Sequence, residues 1–102
     1  FLLENNKKIF IFEVNNNIIG TGSIFIEKKI SHDFKNVGHI EDIIVDREFR
    51  GNGYGKYIIN YLIKYAKNNN CYKIILNTDE KNLKFYQKCG FKKTNIEMGI
   101  YF

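Results

Sequence analysis

The sequence predicts one α/β (α+β) domain on a mixed central sheet, with the elements in the order β-β-β-α-β-α-β. Three observations carry this. β-rich apolar runs fill the chain as far as residue 45, a 3.6-residue period takes over at 54–68, and a glycine cluster marks the junction between them. A length of 102 residues suits a single domain over 1–102. The balance of 44% hydrophobic and 26% charged residues excludes a disordered chain, a collagen or a coiled coil. The absence of proline excludes a polyproline ligand. Apolar runs are only a few residues long, so no membrane-spanning segment and no membrane partner are expected. The chain starts at Phe1 and not at Met, and is expected to be a piece of a longer protein, N-terminally incomplete.

The elements follow in order. Residues 8–14 are a β-rich run, Asn15–Asn17 a turn and 18–30 a second run, which together read as a hairpin. Asp33–Asn36 make a polar connection to a third strand at 38–45. The end of that strand is apolar on both faces and is expected to be central and covered. Ile58, Leu62, Tyr65 and Ala66 then recur at helical spacing, with Ile59 and Ile63 widening the stripe. The helix spans about 54–68 and ends at Asn68–Asn70. Residues 72–77 return to strand, on a parallel or mixed sheet because a helix intervenes. Asp79 is suited to cap a short helix through Lys88, with Gly90 as its stop. Residues 94–102 read as a last strand with Ile96, Met98 and Ile100 on one face.

The net charge of +5 says little about partners. The chain holds 14 Asn, 14 Lys and 17 Ile, the residue excess that an A/T-rich coding sequence writes on any surface. The lysines are scattered with no run of five, so no nucleic-acid partner is expected. Cys71 and Cys89 lack metal-ligand spacing and read as small buried thiols, so no metal is expected. With no secretory signal, they fit a reducing, cytoplasmic setting.

The sharpest feature is Arg50-Gly51-Asn52-Gly53-Tyr54-Gly55-Lys56, between a strand and an amphipathic helix. Alternate glycines let successive N–H groups converge at a helix N-terminus, where the dipole favours an anion, and Lys56 adds charge. A single glycine would suffice for a tight turn without a ligand. The spacing is not a dinucleotide fingerprint, since Lys56 stands where its last glycine would be, nor a P-loop, since Arg50 and Tyr57 occupy required positions.

What fits is Arg/Gln-x-x-Gly-x-Gly, met by Arg50, Gly53 and Gly55. This resembles the pyrophosphate signature of the GNAT superfamily of acetyl-CoA-dependent N-acetyltransferases, whose fold the element order resembles from its second strand onward, with the first strand and helices missing. Within it, Gly20–Ile24, Ile26–His32, Gly38–Ile43, Asn69–Leu76, Lys81–Phe91 and Glu97–Met98 resemble the glucosamine-6-phosphate N-acetyltransferase family over about residues 18–100.

The resemblance implies transfer of acetyl from acetyl-CoA to glucosamine 6-phosphate, on the route to UDP-N-acetylglucosamine, by a homodimer whose last strand lies near the partner's site. It implies that Ile43, Ile44 and Val45 pair with the pantetheine arm in a split between the third and fourth strands. Gly51 to Lys56 would cradle the pyrophosphate, with Arg50, Asn52 and Tyr54 part of it, and Asn82 and Tyr86 would lie beside the cofactor. Tyr86 would protonate or hydrogen-bond the leaving thiolate. One or both of Glu41 and Asp42 would hold the amine and accept its proton, though neighbours on a strand face opposite ways unless a bulge turns one. Lys29, His32, Tyr72, Lys73, Asn77 and Tyr101 match sugar-phosphate contacts. The family usually has an acidic residue at Asn77 and arginine at Tyr101; tyrosine cannot offer arginine's bidentate charged fork. Other readings are a GNAT enzyme for a polyamine or protein amine, and a non-catalytic acetyl-CoA-binding module.

Overall fold

The structure, a computed structural model, describes residues 7–29 and 32–102, with His32 described in its backbone alone. The expected end of the second strand at residue 30 lies outside the described residues. Strands β1 (Lys7–Val14), β2 (Asn17–Lys28), β3 (Asn36–Val45) and β4 (Cys71–Ile75) form one sheet in that order. Helix α1 (Tyr54–Asn68) links β3 to β4, and α2 (Glu80–Lys88) follows β4. β1–β2 and β2–β3 pair antiparallel, and β3–β4 parallel, so the sheet is mixed as expected.

Local chemistry explains the turns. Asn15 and Asn16 both have positive φ, at 49° and 67°. Paired left-handed residues match the twist of a two-residue hairpin, and asparagine tolerates them better than other side chains with a Cβ. At the end of α1, Asn69 Nδ2 donates to the Tyr65 carbonyl at 2.8 Å, while Asn36 donates from Nδ2 to the Asn69 carbonyl at 2.8 Å and from its backbone N–H to the Asn70 carbonyl at 2.9 Å. The asparagine run therefore stops the helix and ties it to the start of β3, which delivers β4 alongside. Helix α2 ends as Gly90 allows. Gly90 has φ 103°, its N–H donates to the Gln87 carbonyl at 3.0 Å, and the Phe91 N–H reaches back to the Tyr86 carbonyl at 3.1 Å. This double bond pattern closes the orphan carbonyls of the last turn.

The core lies between α1 and one face of the sheet. Ile58, Ile59, Leu62 and Ala66 are fully buried against Phe12, Ile19, Ile24, Ile26 and Ile40. Glycines in β2 set the approach. A Cβ on Gly20 would stand 2.3 Å from the Ile44 carbonyl oxygen, and one on Gly22 2.9 Å from Ile58 Cγ2.

Three expectations are corrected. Residues 94–102 form no strand; Ile96, Met98 and Ile100 are 82–91% exposed. Alternation makes a segment fit for a sheet, but a strand needs a partner edge, and none meets this segment among the described residues. The apolar end of β3 is covered on one face only: Ile43 and Val45 pack against the core, while Ile44, which points to the other face, is 56% exposed because no element lies over it among the described residues. The two thiols are only half-buried.

Substituting Gly20 by alanine should cost about 1–3 kcal/mol by overpacking against backbone that cannot swing aside. Urea unfolding of the full-length protein checks this; an unchanged midpoint would show that β3 does not press on β2 there.

Candidate acyl-donor and acceptor site

β4 pairs with β3 only from Asn36 to His39. β3 runs on to Val45 with no β4 partner among the described residues. Along Ile40–Val45 the strand edge on that side is open, and Ile43, Ile44 and Val45 lie on it. Open strand N–H and C=O groups are a template for any extended ligand that carries amides.

The chain after Val45 is folded by its own side chains. The Asp46 N–H donates to the Ile19 carbonyl at 2.8 Å, and its carboxylate accepts from the Glu48 N–H at 3.0 Å. That cap starts a 3-10 turn over Arg47–Phe49. Arg50 Nε donates to the Val45 carbonyl at 3.1 Å, and Asn52 Nδ2 to the Phe49 carbonyl at 3.3 Å. Gly51 and Gly53 follow with φ 84° and 80°. A Cβ on either would meet nothing within 4 Å, so glycine serves the backbone angle there and the space in front stays open.

Helix α1 then begins with its donors uncovered. Its N-cap, Gly53, offers no side-chain bond, and the first helical bond reaches Gly53 from the Tyr57 N–H at 3.1 Å. The N–H groups of Tyr54, Gly55 and Lys56 therefore have no acceptor within the helix. No acidic residue stands in the first turn; Lys56 does, against the dipole. A cation at that helix end is unfavourable until an anion joins it. The turn thus has the donors and the charge to take an anion.

Helix α2 meets this end of α1 through Phe85. The Phe85 ring lies 3.2 Å from where a Gly55 Cβ would be, so any side chain there would have to push the ring aside. Tyr86 is half-buried, edge-on to Phe85 at 5.1 Å and to Phe91 at 6.0 Å. Burial raises its phenol above the ordinary value, with Cys89 adding to the shift. Burial raises the Cys89 thiol too, and Lys56 partly offsets this. Asn82, in the first turn of α2, is exposed. A concavity of about 1080 Å³ between β4, α2 and residues 91–97 takes in Tyr86, Lys73 and Asn77, but not the glycine turn.

A bulge resolves the pairing of Glu41 and Asp42. Thr21 faces Ile44 and Ser23 faces Glu41, so Gly22 opposes two residues, Asp42 and Ile43. Asp42 has φ 53°. The bulge brings both carboxylates to one cation, Lys7 Nζ, at 3.9 Å from Glu41 and 3.7 Å from Asp42. Buried Ser23 donates from Oγ to the Glu41 carbonyl at 2.9 Å and so closes the bulge.

The other expected acceptor residues are scattered. Lys29 Nζ lies 2.9 Å from Glu27. Lys73 lies 5.6 Å over the Tyr72 ring and is in register with Val37, itself in register with Glu27. Asn77 Nδ2 donates to Glu97 at 2.8 Å. Tyr101 stands 95% exposed in the terminal segment. Ser23, Lys7, Glu27 and His39 were not singled out from sequence. The alternation Glu27/Lys29 and His39/Glu41 on paired strands is the signal that could have found two of them.

A sheet that splays beside a glycine turn at a helix N-terminus is the arrangement of an N-acyltransferase fold. The chain belongs to the acetyltransferase (GNAT) family, whose profile matches residues 1–91. It is 42% identical over 90 residues to glucosamine 6-phosphate N-acetyltransferase of Arabidopsis thaliana, covering 88% of this chain and 60% of that one. The crystal structure of glucosamine-6-phosphate N-acetyltransferase from Arabidopsis thaliana superposes with TM-score 0.86 at 39% identity, over 95% of this chain and 67% of that one. A predicted acetyltransferase from Clostridium acetobutylicum, solved with acetyl-CoA, matches with TM-score 0.77 at 26% identity, over 94% and 64% of the two chains. The chain spans 54% to 60% of the first two curated relatives' length. No helix among the described residues is long and apolar enough to cross a membrane.

Tyr86 should ionise above 10.0, the ordinary tyrosine value. The fold favours the neutral phenol, so its contribution to stability is complete below that value and is lost as pH rises through the folded one. A difference titration of wild type against Tyr86→Phe at the phenolate absorption band checks this; a midpoint at or below 10.0 would contradict it.

Proposed function

We propose that the protein transfers the acetyl group of acetyl-CoA to the amine of glucosamine 6-phosphate, giving N-acetylglucosamine 6-phosphate and CoA, on the route to UDP-N-acetylglucosamine. The observation that carries the reading is the bulge at Asp42, which sets two carboxylates around one ammonium beside the open edge of β3. The relatives named for this activity support the acceptor.

Acetyl-CoA supplies an activated acyl carbon as a thioester. The residues act around it as follows. The N–H groups at the start of α1, with Lys56 and Arg50, hold the pyrophosphate end. The open main chain of Ile43–Val45 aligns the arm and offers N–H donors to a developing oxyanion. Glu41 and Asp42 hold the acceptor ammonium and take its proton, because only the free amine attacks. Tyr86 stays protonated and donates to the sulfur as charge builds there. Lys29, His32, Tyr72, Lys73, Asn77 and Tyr101 serve the sugar phosphate. Most of the acceleration comes from holding amine and thioester together.

The working protein is a cytoplasmic homodimer in this reading. The exposed alternation of Ile96, Met98 and Ile100 supports it, since such a segment is stable as a strand only against a partner edge.

The test is acetyl transfer by the full-length protein to glucosamine 6-phosphate against glucosamine. The phosphorylated sugar should be strongly preferred, and Tyr86→Phe should lower kcat about 10²-fold. Turnover of a polyamine or a protein amine instead would replace the acceptor, and acetyl-CoA binding with no turnover would replace the enzyme by a binding module.

A further inference from the structure

On the sheet face opposite α1, one carboxylate joins a lysine and a histidine. Ile24, Ile26 and Ile40 point into the core under α1. Their strand neighbours Phe25, Glu27, His39 and Glu41 therefore point the other way. Glu27 Oε2 lies 2.9 Å from Lys29 Nζ, and Glu27 Oε1 lies 2.8 Å from His39 Nε2. The His39 ring also rests on Phe25, its register partner, with centroids 5.6 Å apart. His39 precedes Glu41 by two residues on β3 and so lies on the same face. Glu27 thus joins a lysine at the end of β2 to the strand that carries the bulge.

We propose that Glu27 is a positioning residue for the acceptor, whose carboxylate fixes the Lys29 ammonium toward the acceptor's phosphate and anchors it to β3 through His39. This rests on the glucosamine 6-phosphate reading. A lysine ammonium has three N–H donors, so one bond to Glu27 leaves the others for phosphate oxygens. An unheld lysine must lose the freedom of its long side chain each time an acceptor binds, and Glu27 removes that cost beforehand. The effect is one of orientation and not of charge, since Glu27 adds a negative group near an anion. The carboxylate remains ionised: the hydrogen bond from His39, then that from Lys29, holds it below the usual range.

Steady-state kinetics of the full-length enzyme test this. Glu27→Gln should raise KM for glucosamine 6-phosphate about tenfold, leave KM for acetyl-CoA unchanged and keep kcat within about twofold. It should have no further effect on KM in a Lys29→Met background, because Glu27 acts through Lys29. Additive losses would mark a general structural role and overturn the proposal. So would an E27Q enzyme that keeps its preference for the phosphorylated sugar, or binds it more tightly. Should E27Q fail to fold, the same cycle with Glu27→Asp decides by the same criteria. A wild-type enzyme with no preference for glucosamine 6-phosphate over glucosamine overturns the acceptor reading itself, and this role with it.

Discussion

Among the described residues, strand β3 has two neighbours for the first part of its length and one for the rest. β4 stays beside it only to His39. Every later feature of the site depends on that divergence. Had β4 continued, the main chain of Ile40–Val45 would be closed by strand pairing, and the ladder would leave no edge for a ligand. The asparagine links between residues 69–70 and Asn36 bring β4 in at the start of β3. The glycine turn after Val45 then places a helix N-terminus at the mouth of the gap. An open edge and an uncovered helix N-terminus at adjoining positions suit a long donor with amides along its arm and phosphates at its end.

The bulge is the second half of the same arrangement. An unbulged β3 would send Glu41 and Asp42 to opposite faces. Gly22 has no side chain to resist the extra residue opposite it, and Ser23 satisfies the Glu41 carbonyl. A small residue and a hydroxyl in β2 thus decide where two carboxylates on β3 can act.

Much of this was legible in the chain itself. The helix at 54–68 was readable to its boundaries because its apolar stripe is periodic and its ends are marked by glycine and asparagine. The glycine turn was readable because the backbone angles at Gly51 and Gly53 admit few other residues. The bulge could not be located, since nothing in Glu41-Asp42 distinguishes a regular strand from a broken one. It depends on the register against β2, a long-range property. The terminal segment misled for a similar reason. Its alternation expresses a preference for a sheet face, while the presence of a partner edge is settled elsewhere. The ties among Glu27, Lys29 and His39 were hidden by distance in sequence, although the period-two placement of each pair was visible.

The central claim is that the open edge of β3 and the turn at residues 51–56 form one acyl-CoA site. Its most direct test is amide NMR of the labelled protein titrated with acetyl-CoA. The account predicts that the largest shifts fall on Ile43–Val45 and Gly51–Lys56 together, saturating with one affinity. Shifts confined to the concavity between β4, α2 and residues 91–97, with these amides unmoved, would contradict it.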